Sequence, residues 1–223
     1  MNTEKEKELA ANAAVGEIED GMVVGLGSGS TAAYAIKSIG RLVRDGMKLT
    51  GIASSRKTEN LAKSENIPIV ALESVDYIDL NIDGADEFDP YKQLIKGGGG
   101  ALLREKVIAH YSKRSVIIVD SRKQVCRLGA FKLPVEVIQF AHKNVISEIS
   151  AVGMEVSLRM ANNSPYLTDE GNFILDLDIS KVTNVAMLDD DLRNIPGLIE
   201  TGLFVDLVDR IYLGDCEEVK VID

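Results

Sequence analysis

The stretch VVGLGSGST at residues 23–31 decides how the first half of the chain is read. An apolar run passes through Gly25, Gly27 and Gly29 into hydroxyl residues that open a helical pattern, as at a strand-to-helix turn of a buried parallel sheet. Glycines there permit close backbone approach. The N–H groups of a helix start, joined by the hydroxyls of Ser28, Ser30 and Thr31 beside Gly29, can cradle an anion. The spacing is neither G-x-G-x-x-G, which needs glycine at 30 or 32, nor a Walker loop, which needs Gly-Lys-Ser/Thr. Neither a dinucleotide nor a nucleoside triphosphate is favoured. The plainer reading is a glycine turn capped by Ser30 or Thr31.

Outward from this turn, short apolar runs alternate with helical periodicity. The pattern predicts helices over 4–18, 30–43, 56–65 and 101–111, and strands over 22–26, 49–53, 67–72, 77–82 and 115–119. Strands separated by helices of this length form a doubly wound α/β layer. After residue 129 the rhythm changes to strand 133–138, helix 140–151, strands 154–158 and 173–178, helix 189–194 and strand 198–204. This β-α-β-β-α-β order predicts an inserted ferredoxin-like α+β domain over 130–205. The pair at 210–213 and 219–222 is too short to fold alone and is expected to rejoin the first sheet, so that residues 1–129 and 206–223 form one domain.

The 223 residues carry 25 Lys+Arg against 35 Asp+Glu, a net charge of −10. That balance, with no dense basic run, argues against nucleic-acid or acidic-lipid binding. No apolar stretch reaches the roughly 18 residues of a membrane span, and the start MNTEKEKE lacks the features of a secretion signal, so a cytoplasmic location is expected. Cys126 and Cys216 stand apart, without metal or redox spacing, and read as reduced thiols. His110 and His142 lie on helices without a partner motif and read as surface residues.

Three further segments carry chemistry. In YIDLNIDGADEFD, residues 77–89, Asp83 and Asp86 flank Gly84 and Ala85 just past the carboxyl end of a strand, where open α/β sheets bind ligands. Two carboxylates so spaced can hold a small polyol. Asp79, Asn81, Asp83 and Gly84 also match the opening of a calcium loop, but its closing glutamate falls on Pro90; magnesium on Asp83 and Asp86, or a solvated acidic turn, stays open. In IKGGGGALLREK, residues 95–106, Lys96 precedes Gly97, Gly98, Gly99 and Gly100, and amides converging beside a lysine would stabilise an oxyanion. The alternative is a flexible loop. Glu105 shares a helix face with Ala101, Ile108 and Ala109, which would bury it and suit it to proton transfer; an exposed helical glutamate is the simpler reading. Lys123, in DSRKQV at 120–125, sits at another strand end and can meet a phosphate or carboxylate, or only solvent. Together these features describe a sugar-phosphate site in which one base moves a proton between adjacent carbons.

The segments VGLGSGSTAAYAI, NIDGADE, IKGGGGALLREK, DSRKQV, LPVEVI and the IPG and GLF pieces, in this order, make the chain closely resemble ribose-5-phosphate isomerase of the A type over essentially its whole length. The resemblance implies metal-free, cofactor-free interconversion of ribose 5-phosphate and ribulose 5-phosphate through an enediolate, in the pentose phosphate pathway. It also implies a Rossmann-like domain, a ferredoxin-like lid and a homodimer or homotetramer. Carried over, the substrate loop falls on Ser28 to Thr31, the aspartate loop on Asp83 to Asp86, the lysine-glycine loop on Lys96 to Gly99, the proton acceptor on Glu105 and a further substrate lysine on Lys123. The departures are Ser28 and Gly100, where threonine and alanine are frequent, and ASSRKT at 53–58, where Arg56 and Lys57 replace small and acidic residues. Two rivals remain: a sugar-phosphate-sensing domain, which would not need Glu105, and a CoA transferase with a glutamate nucleophile, which would need a covalent intermediate.

Overall fold

The computed structural model describes residues 2–223. From the N-terminus run α1 (Thr3–Val15), β1 (Val23–Leu26), α2 (Ser30–Arg44), β2 (Thr50–Ala53), α3 (Arg56–Ser64) and β3 (Leu80–Asp83). Two short strands follow, β4 (Glu87–Phe88) and β5 (Leu94–Ile95), then α4 (Leu102–His110) and β6 (Ser115–Asp120). The next run is β7 (Leu133–Val137), α5 (His142–Ala151), β8 (Val156–Leu158), β9 (Met160–Ala161), β10 (Ser164–Pro165), β11 (Phe173–Leu177), α6 (Val185–Arg193), β12 (Leu198–Thr201) and β13 (Leu203–Phe204). β14 (Arg210–Asp215) and β15 (Glu218–Ile222) end the chain.

The chain divides into two units. The first comprises the residues up to Ala85, Arg104–Gln124 and Asp206–Asp223. Its sheet has the order β15-β14-β6-β3-β1-β2, parallel throughout except for the β14–β15 hairpin at one edge. β6 is buried at every residue, as expected for a parallel strand covered on both faces. On α2, Ala32, Ala35, Ile36 and Ile39 form the apolar stripe that joins this core. β1 lies between β2 and β3, so the chain reverses its winding direction there. The carboxyl ends of β1 and β3 at such a switch point form the crevice where doubly wound sheets bind ligands.

The second unit comprises Asp86–Leu103 and Val125–Val205. Its main sheet has the order β12-β7-β11-β8, antiparallel at every pairing, which is the arrangement of a β-α-β-β-α-β split unit. A second small sheet, β13-β5-β4, joins residues 86–95 to this unit.

Most of the predicted elements are present, with these differences. Residues 67–72 make only one bridge, between Gly51 and Ile69, because Pro68 has no N–H to donate; Leu72–Ser74 is a 3₁₀ turn instead. The expected strand 198–204 breaks at Gly202. A side chain there would lie 2.3 Å from the Lys96 carbonyl, so β12 pairs with β7 while β13 pairs with β5. The helix expected over 189–194 starts earlier, at Val185, where Asn184 caps it by accepting from the Met187 N–H. Residues 86–103 and 125–129 group with the second compact unit, in which β5 pairs with β4 and β13.

The second unit also buries a carboxylate. Glu136 in β7 is 1% exposed and accepts from Thr168 Oγ1 and Asn172 Nδ2, each at 2.9 Å. Burial raises its carboxyl above the ordinary carboxylate range despite those bonds. A raised folded value gives stability that is present below the unfolded carboxylate range and lost as pH rises through the folded one. Glu136→Gln keeps an acceptor for both donors. It is expected to raise the thermal midpoint at pH 7 by a few degrees and leave it unchanged below about pH 4. A pH series of melting curves checks this, and equal midpoints at pH 7 would contradict it.

Candidate active site

In the first unit, β1 ends at Leu26 and the chain turns into α2 across residues 27–31. Gly29 sits at the helix start with φ 105°, a left-handed conformation that favours glycine, and no side chain caps the helix. The helix-start amides are therefore not taken up by a cap, as an anion cradle requires. Gly27 is needed for another reason. A Cβ there would lie 2.0 Å from Asp83 Oδ1, so the aspartate at the end of β3 occupies the space a side chain would take. Asp83 is 1% exposed, and its Oδ1 accepts from the Ser28 N–H at 3.0 Å and the Gly84 N–H at 2.7 Å. One carboxylate thus ties the loop after β1 to the loop after β3. Gly27→Ala is expected to push Asp83 aside and destabilise the fold by about 1–3 kcal/mol, the usual cost of overpacking. Urea titration measures it, and an unchanged midpoint would show that the aspartate moves freely.

Ser28 Oγ lies 2.9 Å from Ser54 Oγ, 2.8 Å from Ser55 Oγ and 3.0 Å from Thr58 Oγ1. Thr58 Oγ1 donates to the Gly27 carbonyl at 3.0 Å, and Ser55 caps α3 by accepting from the Thr58 N–H. This hydroxyl knot fixes Ser28 from the β2–α3 turn. Thr31 is buried, whereas Gly29 and Ser30 are exposed.

Glu105, on α4, is 5% exposed and shares its face with buried Ile108 and Ala109, as the helical spacing predicts. Lys106, the next residue on α4, is equally buried. Lys123 closes the 3₁₀ turn Ser121–Lys123 at the carboxyl end of β6 and is half-buried. Burial opposes ionisation of Asp120 at that strand end, but hydrogen bonds and charge from Arg122 hold its carboxyl below the ordinary range. The calcium-loop reading fails because both of its carboxylates have protein partners. Asp79 accepts from the Val23 N–H and pairs with Lys113, Asn81 donates to Ser115 Oγ, and Asp83 holds the two loop amides.

In the second unit, Asp86 Oδ2 accepts from the Gly98 N–H at 2.7 Å. A side chain on Gly98 would lie 2.7 Å from Asp86 Oδ1. Lys96 is 3% exposed, with Nζ 5.3 Å from the centre of the Phe204 ring and its backbone N–H on the Gly202 carbonyl. Gly97 and Gly100 have φ of 97° and 79°. The sequence reading gave all four glycine amides to an oxyanion; the structure corrects this, since Gly98 donates to Asp86 and Gly100 donates to the Gly97 carbonyl. Arg159 Nη1 donates to the carbonyls of Gly97 at 2.8 Å and Gly98 at 3.2 Å, and Tyr166 OH donates to that of Gly99 at 3.0 Å. Sequence reading missed both residues. They lie about 60 positions from the glycines, in a segment without a motif.

The family model for ribose 5-phosphate isomerase A (phosphoriboisomerase A) matches residues 50–218. The ribose-5-phosphate isomerase A of Sphingopyxis alaskensis is 48% identical over 217 residues, covering 96% of this chain and 95% of its own. A solved D-ribose-5-phosphate isomerase in complex with phospho-erythronic acid is 41% identical, with a TM-score of 0.97 and all of both chains covered. The ribose 5-phosphate isomerase A from Methanocaldococcus jannaschii is 38% identical, with a TM-score of 0.94 over 98% of each chain. On this identity, spread over nearly the full length, the chain belongs to the ribose 5-phosphate isomerase A family.

Proposed function

We propose that this chain carries out its family's reaction, the interconversion of ribose 5-phosphate and ribulose 5-phosphate, with Glu105 as the base. The observation that carries the reading is the near-complete identity of fold with an isomerase that holds a sugar-acid phosphate. Glu105 takes the proton from carbon 2 of the open-chain aldose and returns it to carbon 1 of the enediolate. Lys96, with the Gly97 and Gly99 amides, stabilises the negative oxygen that forms meanwhile, the Gly98 N–H being held by Asp86. The loop of Ser28, Gly29, Ser30 and Thr31, with Lys123, holds the anionic end of the substrate. Asp86, with Gly84 and Ala85 beside it, binds sugar hydroxyls and assists ring opening. Asp83 shares that task, but its two loop amides make it first a positioning residue for Ser28.

Neither metal nor redox cofactor takes part in this scheme, because the enediolate charge is met by a lysine. Residues 1–129 and 206–223 form the catalytic domain and residues 130–205 a lid and assembly domain, in a cytoplasmic homodimer or homotetramer serving the pentose phosphate pathway. Among the described residues, no helix is long and apolar enough to cross a membrane. The sensing alternative is not favoured, since the relatives at 41–48% identity are named as isomerases.

Proton NMR of ribose 5-phosphate with the protein in heavy water containing a chelator tests the scheme. Ribulose 5-phosphate carrying deuterium at carbon 1 is expected. Binding without ketose or label would favour a sensor, and activity lost with the chelator and restored by a divalent ion would overturn the metal-free scheme.

A further inference from the structure

Arg159 lies just past β8, and its side chain is 14% exposed. Nε donates to Asp176 Oδ2 at 3.0 Å and Nη2 to Asp176 Oδ1, a bidentate pair that fixes the guanidinium plane. The remaining nitrogen, Nη1, donates to two successive carbonyls, those of Gly97 and Gly98. In a trans peptide the carbonyl and the following N–H point in opposite directions. Drawing both carbonyls to one nitrogen therefore turns the N–H groups of Gly98 and Gly99 away from Arg159 together. The Gly98 N–H is found on that far side, on Asp86. Tyr166 fixes the next peptide through the Gly99 carbonyl, and Gly100 has no room for a side chain beside the Tyr166 hydroxyl, at 2.3 Å. Burial raises the Tyr166 hydroxyl above its ordinary range, so it stays a donor.

We propose that Arg159, held by Asp176 and assisted by Tyr166, is a positioning residue that aims the Gly99 N–H at the developing oxyanion of the enediolate. This rests on the isomerase reading given above. Glycines alone would leave the loop many conformations, and an oxyanion donor is effective only when its direction is set before the charge forms. Lysine cannot replace the arginine, since one ammonium on a flexible stem cannot both pair with Asp176 through two bonds and bridge two carbonyls.

The test compares Arg159→Met, Arg159→Lys and Tyr166→Phe with the unsubstituted protein. Arg159→Met is expected to lower kcat for ribose 5-phosphate about 10²-fold with KM changed less than about 3-fold, the scale of a misplaced donor. Arg159→Lys should fall between, and Tyr166→Phe should lose roughly 5-fold, the scale of one hydrogen bond. Two ligands separate positioning from general damage. Phospho-erythronic acid, whose planar carboxylate resembles the enediolate, should bind more weakly in step with kcat/KM, while ribitol 5-phosphate, which has no such group, should bind as before. Equal weakening of both ligands, or a kcat within about 3-fold of normal in Arg159→Met, overturns the proposal. If Arg159→Met does not fold, Arg159→Lys and Tyr166→Phe decide, and unchanged kcat in both overturns it. An unsubstituted protein that makes no ribulose 5-phosphate would overturn the isomerase reading instead.

Discussion

Glu105→Gln is expected to lower kcat for ribose 5-phosphate by at least ~10²-fold, the range of a lost general base, while the protein folds and binds substrate. Glutamine has the same shape and fills the same place on α4, against the face that carries Ile108 and Ala109. What it lacks is a basic oxygen able to take a proton from carbon 2. The loss should therefore appear in kcat and in deuterium incorporation together, with KM nearly unchanged. Steady-state kinetics with the label experiment measure both. A variant that turns over within a few-fold of normal would remove Glu105 from the role, and one that loses its circular dichroism would leave the label exchange of Glu105→Asp to decide.

Lys96→Met should cost 10²–10³-fold in kcat/KM, on the order of removing one oxyanion donor. Methionine keeps an unbranched side chain of similar length and removes the charge that lies over the Phe204 ring. With Lys96 only 3% exposed, its charge acts at low effective dielectric, where it stabilises a forming anion far more than it would in water. Because the enediolate carries that anion and the ground-state sugar does not, affinity for phospho-erythronic acid should fall in parallel with kcat/KM. Lys96→Arg keeps the charge but not the compact donor, and should recover only part of the rate. If Lys96→Met weakened ribose 5-phosphate and phospho-erythronic acid equally, the lysine would be a ground-state anchor instead.

Much of the fold is legible because burial imposes periodicity. The VIIV core of β6 and the stripe of α2 announce a covered parallel strand and a half-covered helix. The β-α-β-β-α-β order of the second unit is read the same way. Elements without periodicity are not. β4 and β5 have two residues each, too few to show alternation, so the draw of residues 86–95 toward the second unit could not be seen. The helix over Val185–Arg193 was read too short because Asn184 was not recognised as its cap.

The candidate site divides along the same line. The glycine loops, the paired aspartates and Glu105 on its apolar face are local features, and their chemistry is written in residue type and spacing. From the sequence alone come the α/β class, the split second unit, the acidic charge and the sugar-phosphate chemistry, all of which depend on neighbours within one or two turns of chain. Tertiary structure alone decided why Gly27 must lack a side chain, that Ser28 is knotted to Ser54, Ser55 and Thr58, and that Asp83 spends one oxygen on two loop amides. It also decided that Arg159 holds the glycine carbonyls. Apart from the bond from Gly84 to its neighbour Asp83, these contacts join residues 26 to 62 positions apart, and only the folded chain brings such partners within the roughly 3 Å at which a hydrogen bond has a direction.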